Sequence, residues 1–233
     1  MTYLLLIASV LLGSLISAFL KSQRDVSIKF LLVFSGAYLL SLGVFHLLPE
    51  VYEVHDHTIG LWVMGGFFIQ LVLEVFSKGV EHGHGHPEHF KDKGIPLTVM
   101  ISLFIHALLE SLPIGAHTHE LSSNTLLWGI VIHKLPVSII LFAMLTELTN
   151  SKLKIIFWMA MFALIAPIGV WLGENLPFLE QYYRQLTALT LGVFIHISTT
   201  ILFESSKSHK FNFIKFFVTL LGVIIAWISV SHH

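Results

Sequence analysis

Eight runs of about twenty apolar residues, joined by short links, constrain this chain more than any other feature. They cover roughly residues 2–20, 28–49, 59–77, 95–116, 124–146, 153–174, 185–204 and 211–230. A helix rising about 1.5 Å per residue needs about 20 such residues to cross a hydrocarbon core roughly 30 Å thick. Backbone facing lipid must satisfy its own hydrogen bonds, which leaves helices as the only form for runs of this kind. The expected fold is all-α: a polytopic integral membrane protein of eight transmembrane helices, with 1–233 as a single transmembrane domain. Composition agrees, at 55% hydrophobic and 12% charged residues, against about 25% charged in soluble domains. The first run has no basic residue ahead of it and continues to Lys21, so it reads as a retained span and not a cleaved leader.

The charges orient the bundle. Lys21, Arg24 and Lys29 lie around the first link, Lys78, Lys91 and Lys93 in the third, Lys152 and Lys154 in the fifth, and Lys207, Lys210 and Lys215 around the seventh, which is 11 of the 13 basic residues. Basic links face the cytoplasm, so both termini are expected on the non-cytoplasmic side of the membrane, a bacterial inner membrane being the expected location. The third link then forms a flexible cytoplasmic His-rich loop over 78–94. The opposite links carry Glu50, Glu53, His55, Asp56, His57, His117, His119 and Glu120. Cysteine is absent, which removes disulfides, thiolate metal sites and cysteine nucleophiles. A net charge of -1 gives no nucleic-acid signal, whereas the 15 histidines outnumber all Lys and Arg.

Ionisable residues at the centre of a span cost roughly 2.5–3.5 kcal/mol each when charged, so a chain that keeps them there uses or pairs them. His106 and Glu110 are one helical turn apart in the fourth span and share a face. His133 lies about as deep in the fifth span, which runs the opposite way, so the three side chains can converge. Imidazole and carboxylate are ligands for a transition metal. The bland alternative is that Glu110 pairs with Lys134 or a histidine and glues helices together without a metal. Pro113, Pro136 and Pro167 fall in spans four, five and six, where each removes a backbone donor and bends its helix.

Other positions carry weaker signals. His82, His84, His86 and His89 sit among Gly and Pro and can chelate weakly in a mobile tract. His46 and Glu50, also four apart, lie near the outer end of span two. With Glu53, His55, Asp56 and His57 they collect cations at an entrance or are simply a wetted helix end. His196 is mid-span among Ser198, Thr199 and Thr200, and serves either a pathway or helix contact. Glu74 and Glu147 read as interfacial, and Gly65, Gly66, Gly129, Gly169 and Gly173 as sites of close helix contact.

Several of these segments resemble the ZIP metal transporters. HALLESLPIGA is similar to the family's fourth-span signature, HN-x-x-E/D-G-x-x-x-G. HKLP resembles the start of its fifth-span signature, SGAYLLSLGVFHLLPE its second span, and IAPIG its sixth-span E-P-x-G. The resemblance covers the whole chain and implies a 3+2+3 arrangement of the eight helices with a His-rich cytoplasmic loop. It implies that His106, Glu110 and His133 keep the main metal site, whose usual fourth ligand is replaced by Val137. A second site is lost, because Ala107, Lys134 and Ala166 stand where the family has ligands. Lys134 would serve there as a surrogate cation for the missing ion. The donor set suits Zn2+, and also Cd2+, Fe2+, Co2+ or Ni2+, but not the oxygen-loving Mg2+ or Ca2+.

The expected function is therefore transport of a divalent first-row metal, zinc foremost, toward the cytoplasm, and the chain is not expected to be an enzyme. The expected partners are the metal ion as substrate, the lipid bilayer and, as an open option, a second copy in a homodimer. Two rivals stand beside this reading: a transport-impaired metal sensor, and a zinc-dependent intramembrane hydrolase with an activated water.

Overall fold

A computed structural model of the chain describes residues 1–19, 26–54, 56–83, 95–116, 120–204 and 213–231, with backbone alone for 26–27, 120–123 and 204. Each apolar run is helical. Span one is Thr2–Phe19, span three Ile59–Ser77, span four Leu97–Ala116, span five Glu120–Leu148, span six Lys152–Asn175, span seven Tyr183–Glu204 and span eight Phe213–Ser231. Span two is composite: an α-helix over Val26–Leu42, a π turn over Gly43–Leu47, and α-helix again over Leu48–Tyr52. Among the described residues, eight helical segments are long and apolar enough to cross a membrane. A short helix, Pro177–Gln181, leads into span seven.

Span three ends where Lys78 and Gly79 take left-handed backbone angles, φ 54° and 71°. The chain then turns back through a 3-10 turn, Val80–His82, closed by Gly83 at φ 89°. Glycine is the residue that adopts such angles without a Cβ penalty, whereas Lys78 does so as an L side chain. The turn returns Glu81 and His82 to the bundle, 1% and 6% exposed.

The helices pack in two groups. Span four lies mainly against span six and span one mainly against span five, with one also touching six. Span three lies mainly against seven and eight against two, with two also packed on seven. Contacts of two with five, three with four, and four with seven, each smaller than the four main pairings, join the groups. Small residues set the closest approaches, as expected where lipid removes the hydrophobic drive between helices. A Cβ on Gly66 would collide with the Leu189 carbonyl, and one on Gly192 with the Val63 carbonyl, so spans three and seven touch backbone to backbone.

Pro113, Pro136 and Pro167 all lie inside helices, as expected. Pro113 has no N–H for the carbonyl of Leu109, and the Thr190 hydroxyl of span seven donates to that carbonyl at 3.2 Å. A freed backbone acceptor inside the bundle is thus satisfied by a neighbouring helix.

Candidate metal site

His106 and Glu110 project from the buried face of span four, 3% and 1% exposed. Helical spacing stacks them one above the other, and His106 Nε2 lies 3.4 Å from Glu110 Oε2. His133 reaches the same place from span five, 1% exposed, its ring centroid 6.0 Å from that of His106 and nearly perpendicular to it. Lys134, also 1% exposed, places Nζ 3.7 Å from Glu110 Oε1. That is an ion pair and longer than a hydrogen bond. The ammonium also sits 4.3 Å from the Phe162 ring centroid of span six, within cation–π range.

Both Glu110 oxygens, both His133 nitrogens and Lys134 Nζ have no hydrogen-bond partner among the described residues. Buried polar atoms are ordinarily bonded, and orphaned ones call for an explanation such as a ligand. As they stand, no three His, Cys, Asp or Glu side chains among the described residues close into a metal-holding group. His106 and Glu110 touch, and His133 stands about a ring's breadth away. Ala107, Val137 and Ala166 are buried and supply no metal-binding side chain.

A second polar cluster lies on the other side of His106. Gln70 of span three, fully buried, places Oε1 3.1 Å from His106 Nδ1. Its Nε2 donates to Glu81 Oε1 at 3.2 Å, and the Ser77 hydroxyl donates to the same oxygen at 2.8 Å. Burial pushes the Glu81 carboxyl up to about 7; the nearby Glu74 charge adds to the rise, while the Ser77 and Gln70 hydrogen bonds oppose it. Glu74 is not merely interfacial: its Oε2 lies 2.5 Å from His196 Nε2, and its Oε1 lies 3.9 Å from His82 Nδ1. The His82 and His196 rings are 6.0 Å apart.

Sequence reasoning missed Gln70 and Glu81 and undervalued Glu74. Residues 70, 74 and 77 share one face of span three, whereas Glu81 joins them only through the turn that follows. His82 belongs to the buried turn Val80–His82, whereas His84, His86 and His89 lie outside the described residues.

At the other end of the bundle, His46 falls in the π turn of span two, its Nε2 3.8 Å from Glu50 Oε2. The Tyr183 hydroxyl donates to Glu50 Oε1 at 2.5 Å. Arg184 holds Asp56 at 2.6 Å. The Thr58 hydroxyl and amide, with Arg184, keep the Asp56 carboxyl below its usual range. Glu50 therefore ties span seven to span two, and Asp56 ties it to the link between spans two and three. His55, His117 and His119 lie outside the described residues.

Eight membrane-length helices among the described residues, with a histidine–carboxylate–lysine cluster buried between them, define a polytopic membrane protein. The model of the ZIP Zinc transporter family matches residues 1–97 and 91–229, and the chain belongs to that family. It is similar to Protein zntD of Dictyostelium discoideum, 28% identical over 173 residues, or 65% of this chain and 25% of that protein. It is also similar to Zinc transporter ZIP1 of Danio rerio, 26% identical over 140 residues, 50% of this chain and 45% of that protein. The matched stretch thus spans between a quarter and about half of the length of these relatives.

Proposed function

We propose that this chain carries a divalent first-row transition metal, zinc foremost, across the membrane toward the cytoplasm through a site formed by His106, Glu110 and His133. The observation that carries the reading is the contact of His106 with Glu110 inside the bundle, with the His133 ring centroid 6.0 Å from that of His106 and the Glu110 and His133 donor atoms unbonded among the described residues. Family membership and the name of the Danio rerio relative supply the substrate class. Neutral imidazole and ionised carboxylate bind the ion, so protons compete with loading. One ion is carried at a time, because Lys134 supplies the second positive charge beside Glu110.

The helix pairings support an inverted 3+2+3 repeat. One-with-five becomes six-with-four, and three-with-seven becomes eight-with-two, when one is exchanged for six, two for seven, three for eight and four for five. The inward direction rests on the 11 of 13 basic residues that share one side.

Uptake of radioactive zinc into proteoliposomes tests the proposal. Wild type should accumulate the ion and Glu110→Ala should not. Wild-type uptake by Glu110→Ala and by His133→Ala would overturn the site. The sensor reading draws on Ala107, Lys134, Val137 and Ala166, and it predicts stoichiometric binding with no wild-type uptake at all.

A further inference from the structure

We infer that Gln70 is a positioning residue for the metal ligand His106: anchored by Glu81, its amide oxygen keeps the imidazole proton on Nδ1 and so presents Nε2 to the ion. This rests on the reading of His106 as a ligand.

A chain of buried atoms leads from Glu81 to His106. Glu81 Oε1 receives the Ser77 hydroxyl at 2.8 Å and the Gln70 side chain at 3.2 Å. Glu81 Oε1 already accepts from the Ser77 hydroxyl, and it remains an acceptor whether the carboxyl is ionised or carries its proton on Oε2, so Gln70 turns its NH2 toward Glu81. Its Oε1 must then face His106 Nδ1, 3.1 Å away. A carbonyl oxygen only accepts, and a neutral imidazole has one N–H. That hydrogen is therefore on Nδ1, and the lone pair is on Nε2, the nitrogen 3.4 Å from Glu110 Oε2. Gln70 and Glu81 are 0% and 1% exposed, so water does not compete for these bonds. His133 contrasts with this, since neither of its nitrogens has a partner among the described residues. His106 is the pre-set ligand and His133 the adaptable one.

Partners behind a metal-binding imidazole fix its tautomer and ring angle and raise its basicity, and their loss lowers metal affinity roughly 10–100-fold. Gln70 belongs to span three, in the helix group that does not contain the site, so the tautomer is set from across the boundary between groups.

The test uses the full chain in nanodiscs, labelled with 15N-histidine and free of metal, with the His106 signals assigned against His106→Asn. Wild type should show the Nδ1–H tautomer at His106. Gln70→Leu should shift it toward Nε2–H, weaken cadmium affinity roughly 10–100-fold, and raise the KM for zinc uptake while Vmax stays within a few-fold. Gln70→Glu keeps an acceptor beside His106 Nδ1 and should keep the hydrogen on that nitrogen. An Nε2–H or doubly protonated His106 in wild type overturns the inference, as does Gln70→Leu with tautomer and affinity both unchanged. If Gln70→Leu does not fold, the wild-type and Gln70→Glu spectra still decide. Failure of the site reading is separately visible as full cadmium binding by His106→Asn.

Discussion

Lys134 Nζ lies 3.7 Å from Glu110 Oε1 and against the Phe162 ring, so the carboxylate of the candidate site already has a cation beside it. Replacing His106, Glu110 or His133 singly by Ala should abolish high-affinity cadmium binding, because a set of three ligands has no spare member. Titration calorimetry in detergent checks this, and stoichiometric binding in all three variants would reject the assignment. A matched gain is expected from Lys134→Asp combined with Ala166→Glu and Val137→Glu. These changes return acids to the positions where the family has them and should admit a second ion. Anomalous scattering from cadmium-soaked crystals should show one peak in wild type and two in the triple variant. The burial of His106, Glu110 and His133 was legible in the sequence because each is a polar letter within an apolar run. Gln70 was not, since an uncharged amide in a span has many innocent explanations.

Span three and the turn that follows it show what a single element adds. The left-handed angles at Lys78 and Gly79 fold a nominally polar link back under the bundle and bury Glu81. Its folded pKa of about 7 lies above the ordinary 4.5. Between those values the folded chain keeps a proton that the unfolded chain has lost. The contribution to stability is therefore full below the ordinary value and is lost as pH rises through about 7. Glu81→Gln has no such loss. Its melting temperature relative to wild type should rise by a few degrees between pH 5 and pH 7.5; a constant difference would place Glu81 in water. The same span should not tolerate Gly66→Leu, because the new Cβ meets the Leu189 carbonyl. Overpacking of this kind costs about 1–3 kcal/mol, read as a lower melting temperature by tryptophan fluorescence. Span limits were legible to within a few residues because hydropathy sets them. The π turn at Gly43–Leu47 was not, since its letters are as compatible with an unbroken α-helix. Burial of Glu81 was hidden for a related reason: neighbours in space, not in sequence, decide it.

For the whole molecule, the number of spans was written in hydropathy, but their pairing was not. Helix faces that meet lipid and faces that meet protein are both apolar, and only small residues and scattered polar atoms tell them apart. The observed pairing puts His106, Glu110, His133 and Lys134 on spans four and five, grouped with one and six, while Gln70, Glu74, His82 and His196 lie on or next to spans three and seven, grouped with two and eight. A transport cycle that exposes the site to each side in turn requires these groups to move against one another. Locking the boundary should therefore stop transport, whereas locking two helices within one group should not. The chain has no cysteine, so pairs can be introduced cleanly. Leu42→Cys with Gly129→Cys bridges spans two and five across the boundary, where a Cβ at Gly129 lies 3.9 Å from Leu42 Cγ. Gly36→Cys with Ile201→Cys bridges spans two and seven within one group, where a Cβ at Gly36 lies 3.2 Å from Ile201 Cβ. Oxidation, verified by thiol counting in the mass spectrometer, should abolish zinc uptake in the first variant and restore it on reduction, with cadmium binding in detergent unchanged. The second variant should transport at a similar rate oxidised or reduced. Undiminished uptake through a fully formed Leu42–Gly129 bridge would mean that the site opens to both sides without the two groups sliding.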